Sequence, residues 1–300
     1  MKILIVGVSG FIGKNFIESY SGEDELYGIY NSSTDIEDFV DKKNIKIKLF
    51  KCDLTNPGNT KKLSETIGSI DKCIFLVSNT DIPRSKIEPS YDFKITTFSL
   101  VNFLTYFKVD KFVYMSTAGV YDGLSGELNV EDEVNPTYPY CISKLTAEYY
   151  VKFFYQVKTI KEYVILRFGG AFGKYCKPNK FVSKLINDIS NGQNEIHIYG
   201  DGQNFVNVMY AKDVVNALNV VLNSNITNLI CNLGAENLTI TEIVKKTAQT
   251  LQKHVDIVYT PKKANQKYMG FKFTSDFDEK FNFKRSYSFE GAVKDFVKLS

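Results

Sequence analysis

Uninterrupted apolar runs alternate, through the first half of the chain, with segments whose apolar positions recur every three or four residues. The runs at 2–6, 26–30, 45–50, 73–77, 111–115 and 163–168 predict strands, and the segments 11–20, 91–107 and 140–157 predict helices. In the second helix Ile95, Phe98, Val101, Leu104 and Phe107 share one face. Strands that are apolar throughout, rather than alternately, are buried on both faces. Alternation of such strands with helices predicts an α/β fold built on a doubly wound parallel sheet. Past Gly173 the pattern loosens. Helices are expected at 181–189, 213–222 and 239–251, the last capped by Thr239 or Thr241, with extended segments at 196–199 and 229–233. Residues 1–173 therefore read as one block with return segments near 205–235, and 174–300 mainly as a smaller α/β lobe.

Composition narrows the chemistry. The 300 residues include 44% hydrophobic and 24% charged positions, ordinary values for a globular chain. A net charge of +3 argues for neither a nucleic-acid nor a membrane partner. Cys52, Cys73, Cys141, Cys176 and Cys231 are scattered and form no paired motif, which predicts reduced thiols in a cytoplasmic protein. His197 and His254 stand apart, so no metal site is expected. The first apolar run leads directly into glycines and reads as a strand rather than a signal segment.

The strand at 2–6 runs into Gly7, Gly10 and Gly13 and then into a helix. The first glycine permits a sharp turn, the second a close backbone approach to a pyrophosphate, and the third tight packing of helix on strand. The free amides at Phe11 and Ile12, with the partial positive charge of the helix terminus, complete an anion cradle. In this strand-loop-helix context the glycines predict a bound dinucleotide. The second strand ends in Tyr30, Asn31 and Ser32, where an acid usually holds the adenosine ribose. Without that acid, NADP is expected ahead of NAD, with Asn31, Ser32 and Ser33 as donors. Asp53, beside Leu54, either caps a helix or accepts from the adenine amine.

Tyr140 and Lys144 lie four apart at the start of a helix and share one face. An ammonium beside a phenol lowers its pKa from about 10, so that it exchanges a proton near neutrality. Upstream, the strand at 111–115 ends in Ser116 and Thr117, whose hydroxyls are placed to hold a substrate oxygen.

The order of GVSGFIG, CDLTNP, MSTAGVY, YCISK and LRFGGAFG, followed by IYGDGQNFVNVMYAKDVV, resembles the extended short-chain dehydrogenases/reductases, the epimerase/dehydratase family. The resemblance spans almost the whole chain. It implies a Rossmann dinucleotide-binding domain, a nucleotide-sugar substrate and dimerisation through two helices per subunit. It makes Thr117 the active-site hydroxyl, Tyr140 the acid/base, and Lys144 a ligand of the nicotinamide ribose.

The chain also departs from that pattern. Ala118 and Gly119 follow Thr117 where sugar dehydratases of the family carry Asp-Glu, which argues against dehydration. Lys94 stands where the family often has an asparagine, Gly170 where an asparagine meets the substrate phosphate, and Val206 where an arginine grips the pyrophosphate. Arg167 is left as a structural residue or a ligand. Lys174, Lys177 and Lys180 are either substitute donors or a solvated loop. Cys141 and Cys176 are expected to be packing, and His197 not catalytic. The expected activity is reduction of a keto sugar by NADPH with Tyr140 as proton donor. The alternatives are a 4-epimerase with tightly bound NAD, a non-catalytic dinucleotide sensor, and an oxidoreductase whose substrate lacks a diphosphate.

Overall fold

The computed structural model describes residues 1–261 and 271–299. Seven parallel strands form the central sheet, in the order Leu229–Leu233, Ile160–Phe168, Val109–Met115, Ile70–Phe75, Lys2–Val6, Glu25–Tyr30, Ile47–Lys51. The order reverses beside Lys2–Val6, which leaves a crevice at the carboxyl ends of the strands. Register puts Val6 against Phe75, Phe75 against Tyr114 and Met115 against Leu166. Gly7, Leu76 and Ser116 therefore leave the sheet side by side.

The apolar strands are explained by two cores. Ile3, Ile5, Ile74 and Val113 face one, under helices Phe11–Ser19 and Ala211–Asn223. Leu4, Val6, Phe75 and Tyr114 face the other, under Ser99–Tyr106 and Pro139–Gln156. A third core, around Phe172, Ile186, Ile198, Tyr210, Ile243 and Val293, holds the smaller lobe. Thr239 is the cap of the helix Ile240–Thr250, in a reciprocal capping box with Glu242.

Four features differ from the sequence reading. Strand Phe205–Tyr210 pairs with Ala171–Phe172 and Glu236–Thr239, not with the main sheet. Phe277 and Phe281, from the tail, pack back into the first core. Helix Pro57–Ile67 escapes the periodicity but has its punctuation: Asn56 accepts from the Asn59 amide at 3.1 Å, and Pro57 opens the first turn. The single helix expected at 91–107 is Pro89–Phe93, a π turn at Lys94–Phe98, and Ser99–Tyr106. The π turn coincides with tertiary bonds from two threonines. Thr96 Oγ1 accepts from the Asn79 amide (3.1 Å), and Thr97 Oγ1 donates to the Ser143 carbonyl (2.8 Å). Among the described residues no helix is long and apolar enough to cross a membrane.

Candidate active site

The glycine loop is a cradle that side chains would fill. Gly7 has φ +92, and a Cβ there would lie 3.2 Å from Val77 Cγ2. A Cβ on Gly13 would lie 2.5 Å from the Val8 carbonyl oxygen, so only glycine lets this helix approach the strand. Gly10, at the helix N-terminus, supplies no side-chain cap, and the first turn holds no acid. The amides of Phe11 and Ile12 thus open into the crevice at the positive end of a helix, and the donor set fits a dinucleotide pyrophosphate.

The ribose end corrects one premise. Tyr30 is buried, and its hydroxyl donates to a Glu37 carboxylate oxygen. Asp35 pairs with Lys14 at 2.5 Å. Carboxylates therefore do stand at the end of the second strand. They come from the first turn of helix Asp35–Lys42, beyond the last residue of the strand. Asn31, Ser32 and Ser33 are exposed beside them. Asp53 does not cap the next helix, a role taken by Asn56; its Oδ1 accepts from Thr55 N (2.9 Å) and Thr55 Oγ1 (2.8 Å). Leu54 is buried, with its carbonyl accepting from Asn102 Nδ2 at 3.0 Å.

On the other side of the crevice, helix Pro139–Gln156 presents Tyr140 in its first turn. The Thr117 and Ser78 side chains, at the ends of two neighbouring strands, act on the phenol and favour its ionised form. Burial raises its pKa above the ordinary phenol value, Cys141 adds to this, and the two hydroxyls oppose it. Lys144 is buried; its amine donates to the Met115 carbonyl at 2.6 Å and lies 4.9 Å from the centre of the Tyr114 ring. Burial lowers its pKa to about 7, against the raising effects of Asp92, Glu148 and Cys141. The expected tuning of the phenol downward by an adjacent ammonium is therefore not what this structure holds. Desolvation dominates both groups, and the lysine is spent on a backbone carbonyl.

Beneath the site runs a buried polar chain that spacing alone did not reveal. Ser116 Oγ donates to Glu148 Oε1 at 2.5 Å, and Arg167 grips both Glu148 oxygens at 3.2 and 3.0 Å. Arg167 Nη1 donates to Tyr121 Oη (2.8 Å), and Tyr121 to Asn232 Oδ1 (3.1 Å). Asn232 reaches Asp276 and Thr274 in the tail. Arg167 is thus a structural clamp on helix Pro139–Gln156. Ser78, Asn79 and Asp92 were also missed. The run CIFLV ending in Ser-Asn at the carboxyl edge of a central strand is the signal for Ser78 and Asn79; Asp92, on helix Pro89–Phe93, has none.

The basic loop divides. Lys174 is paired with Glu18 at 2.8 Å and belongs to the scaffold; Lys180 spans the crevice to the Thr80 carbonyl (3.0 Å); Lys177 is exposed. Lys94 is exposed and Gly170 adopts φ +148. Cys141 Sγ fills the space beside Gly119, where a Cβ would lie 2.4 Å from it, so its role is packing. Cys176 is half-buried, and His197 is exposed and pairs with Glu195. Among the described residues no cluster of three or more metal-binding side chains occurs.

Residues 3–234 match the NAD dependent epimerase/dehydratase family, and the chain belongs to it. A human dTDP-D-glucose 4,6-dehydratase is 28% identical over 264 residues, covering 84% of this chain and 74% of that protein. A putative UDP-glucose 4-epimerase of Methanocaldococcus jannaschii is 28% identical, over 77% of this chain and 76% of its own. In fold, the UDP-glucose 4-epimerase of Thermotoga maritima superposes with a TM-score of 0.85 at 20% identity, covering 99% of this chain and 98% of that one. The doubly wound Rossmann architecture and a nicotinamide-dependent enzyme, as the sequence predicted, are the outcome.

Proposed function

We propose that this enzyme interconverts a secondary alcohol and a ketone on the ring of a nucleotide sugar, as a 4-epimerase working with retained NAD. One observation supports this above the others: Tyr140, with Thr117 and Ser78 acting on its phenol, stands in the first turn of a helix at the strand ends where the glycine loop opens. Gly7, Gly10, Phe11, Ile12 and Gly13 would hold the pyrophosphate, Asn31 and Ser32 the ribose, Asp53 and Leu54 the adenine, and Lys144 the nicotinamide ribose. The nicotinamide ring supplies a hydride acceptor and donor when bound. Thr117 and Ser78 orient the sugar hydroxyl. Tyr140, as the phenolate, takes the hydroxyl proton as the carbon is oxidised and returns it to the same oxygen once the ketone has turned and its opposite face is reduced. Dehydration is disfavoured, because Ala118 and Gly119 offer no acid or base beside Thr117. The relatives that bear sugar-nucleotide names support the substrate class.

The carboxylates at the second strand favour NAD. The enzyme is expected to bind NAD about tenfold or more tightly than NADP, because Asp35 and Glu37 repel a 2′-phosphate. Titration calorimetry with both dinucleotides checks this, and Asp35→Asn with Glu37→Gln should narrow the gap. Tighter binding of NADP would reverse the assignment and restore the reductase. That second reading keeps one specific support, since a phenol whose pKa is raised is ready to donate a proton to a forming alkoxide. Product analysis separates the two. An epimerase converts a nucleoside-diphosphate hexose to its 4-epimer with no net change in NAD(P)H, whereas a reductase consumes one NADPH per product.

The active form is proposed to be a homodimer. Ile142, Tyr149 and Phe153 line the outer face of the catalytic helix, 61% exposed at Tyr149 and 48% at Phe153, with exposed Phe93 on the other crevice-side helix. An apolar stripe of this size on a two-helix face fits a second copy of itself. Light scattering should report a dimer that Tyr149→Glu with Phe153→Glu converts to monomer. A wild-type monomer at micromolar concentration would remove the proposal.

A further inference from the structure

Two neighbouring threonines at the π turn Lys94–Phe98 take no part in the chemistry of the crevice, yet Thr96 and Thr97 are completely buried. The backbone is helical on either side of the turn, with φ −57 and ψ −44 at Phe93 and φ −61 and ψ −38 at Ser99, so the helix runs through the turn rather than ending there. A hydroxyl inside a helix ordinarily bonds back to a carbonyl one turn earlier. Ser99 does so with the Ile95 carbonyl at 2.5 Å, and Thr105 with that of Val101 at 2.7 Å. Thr97 instead donates across to helix Pro139–Gln156, reaching the Ser143 carbonyl at 2.8 Å. Thr96 Oγ1 accepts from the Asn79 amide at 3.1 Å. Asn79 is held a second time, by its own Nδ2 donating to Asp92 Oδ1 at 2.8 Å.

The two recipients are the segments that carry the proton-transfer groups. Ser143 lies within one helical turn of Tyr140 and directly precedes Lys144, and Asn79 directly follows Ser78. A helix carbonyl has two lone pairs, of which the intrahelical bond uses one. The Thr97 bond on the second is therefore not needed to satisfy the helix. On its other side the same turn is fixed by the Lys144 amine, which donates to the Met115 carbonyl at 2.6 Å. The turn from Tyr140 to Lys144 is thus held between two buried bonds, one received from Thr97 and one given to Met115. We propose that Thr97 is a positioning residue of the proton-transfer centre: its bond to the Ser143 carbonyl sets where the Tyr140–Lys144 turn stands relative to the Ser78–Asn79 strand end that Thr96 holds. The proposal rests on the active-site reading above for the use to which that placement is put.

The test compares Thr97→Val, which replaces the hydroxyl by a methyl group, with Thr97→Ser, which keeps the hydroxyl and loses the methyl. A misplacement of about 1 Å at a reacting group costs about 10²-fold, so Thr97→Val is expected to lower kcat by about 10- to 100-fold. KM and NAD affinity should stay within about twofold of wild type, because placement acts on the transition state. Thr97→Ser should recover most of the loss. A packing role predicts the opposite ranking, since serine leaves a void where valine does not. Thr105→Val, which removes a hydroxyl bonded only within its own helix, is the control and should turn over as wild type does. Undiminished turnover in Thr97→Val, or Thr97→Ser as slow as Thr97→Val, overturns the proposal. If Thr97→Val does not fold, Thr97→Cys, a weak donor of similar size, takes its place with the same expected loss. Emission of bound NADH is a second readout that needs no sugar, since it reports the surroundings of the nicotinamide that Lys144 is proposed to border. Thr97→Val should shift it and Thr97→Ser restore it. If wild type turns over no nucleotide sugar, the substrate reading fails and emission decides alone, an unshifted spectrum in Thr97→Val rejecting the positioning role.

Discussion

Replacing Tyr140 with phenylalanine is expected to lower turnover by about 10²–10⁴-fold, the usual weight of a positioned general acid or base. Dinucleotide affinity should be nearly unchanged. The expectation follows from where the hydroxyl sits. The ring stands in the first turn of helix Pro139–Gln156, and Thr117 and Ser78 act on its hydroxyl. Phenylalanine keeps the packing and removes one buried hydroxyl, so the fold should persist. Steady-state rates together with calorimetric binding separate loss of chemistry from loss of cofactor. Retained turnover in Tyr140→Phe would mean that the proton travels elsewhere. Ser78→Ala should give a smaller loss than Tyr140→Phe, because Thr117 still orients the substrate oxygen.

Removing Arg167 is expected to be strongly destabilising, at about 3–5 kcal/mol for Arg167→Ala. The guanidinium makes two contacts to Glu148, at 3.2 and 3.0 Å, and a third to Tyr121, all within a buried chain. Truncation leaves the Glu148 carboxylate in the protein interior with only the Ser116 hydroxyl for company. The damage is asymmetric. Glu148→Gln with Arg167→Met, which removes both charges, should recover much of the loss, since a buried ion pair is worth little net once both partners are gone. Urea unfolding of the two variants beside wild type measures this. The exposed pair Lys161–Asp110 provides the contrast, and breaking it should leave the midpoint essentially unmoved. A loss in Arg167→Ala no larger than that of the surface pair would show that the network does not hold the catalytic helix.

These two residues also mark what was and was not legible in the sequence. The glycine loop and the Tyr140/Lys144 pair are local devices whose meaning lies in spacing along one strand-turn-helix or one helical turn. Both fall at the crevice where the pattern put them. Glu148 and Arg167 are 19 residues apart on different elements, and Asn232 is a further strand away. No spacing rule links them, and Arg167 read equally well as ligand or scaffold. The acid sought at the second strand was missed for a similar reason. It arrives from the next helix, where Glu37 bonds back to Tyr30. The four-residue spacing of Tyr140 and Lys144 predicts a lowered phenol pKa, but proximity in sequence is not proximity of charge. In the structure the amine turns toward Met115, and burial outweighs attraction. Lys174 looked available in the loop and is consumed by Glu18.

The central claim is that hydride leaves a sugar carbon while Tyr140 handles the proton. The most direct measurement is rapid-mixing absorbance of the NAD-loaded enzyme against a panel of nucleoside-diphosphate hexoses. The account predicts a transient reduced nicotinamide with at least one of them, absent in Tyr140→Phe although that variant still binds the sugar nucleotide. Tight binding of a sugar nucleotide with no reduced nicotinamide at any time, or an undiminished transient in Tyr140→Phe, would contradict it.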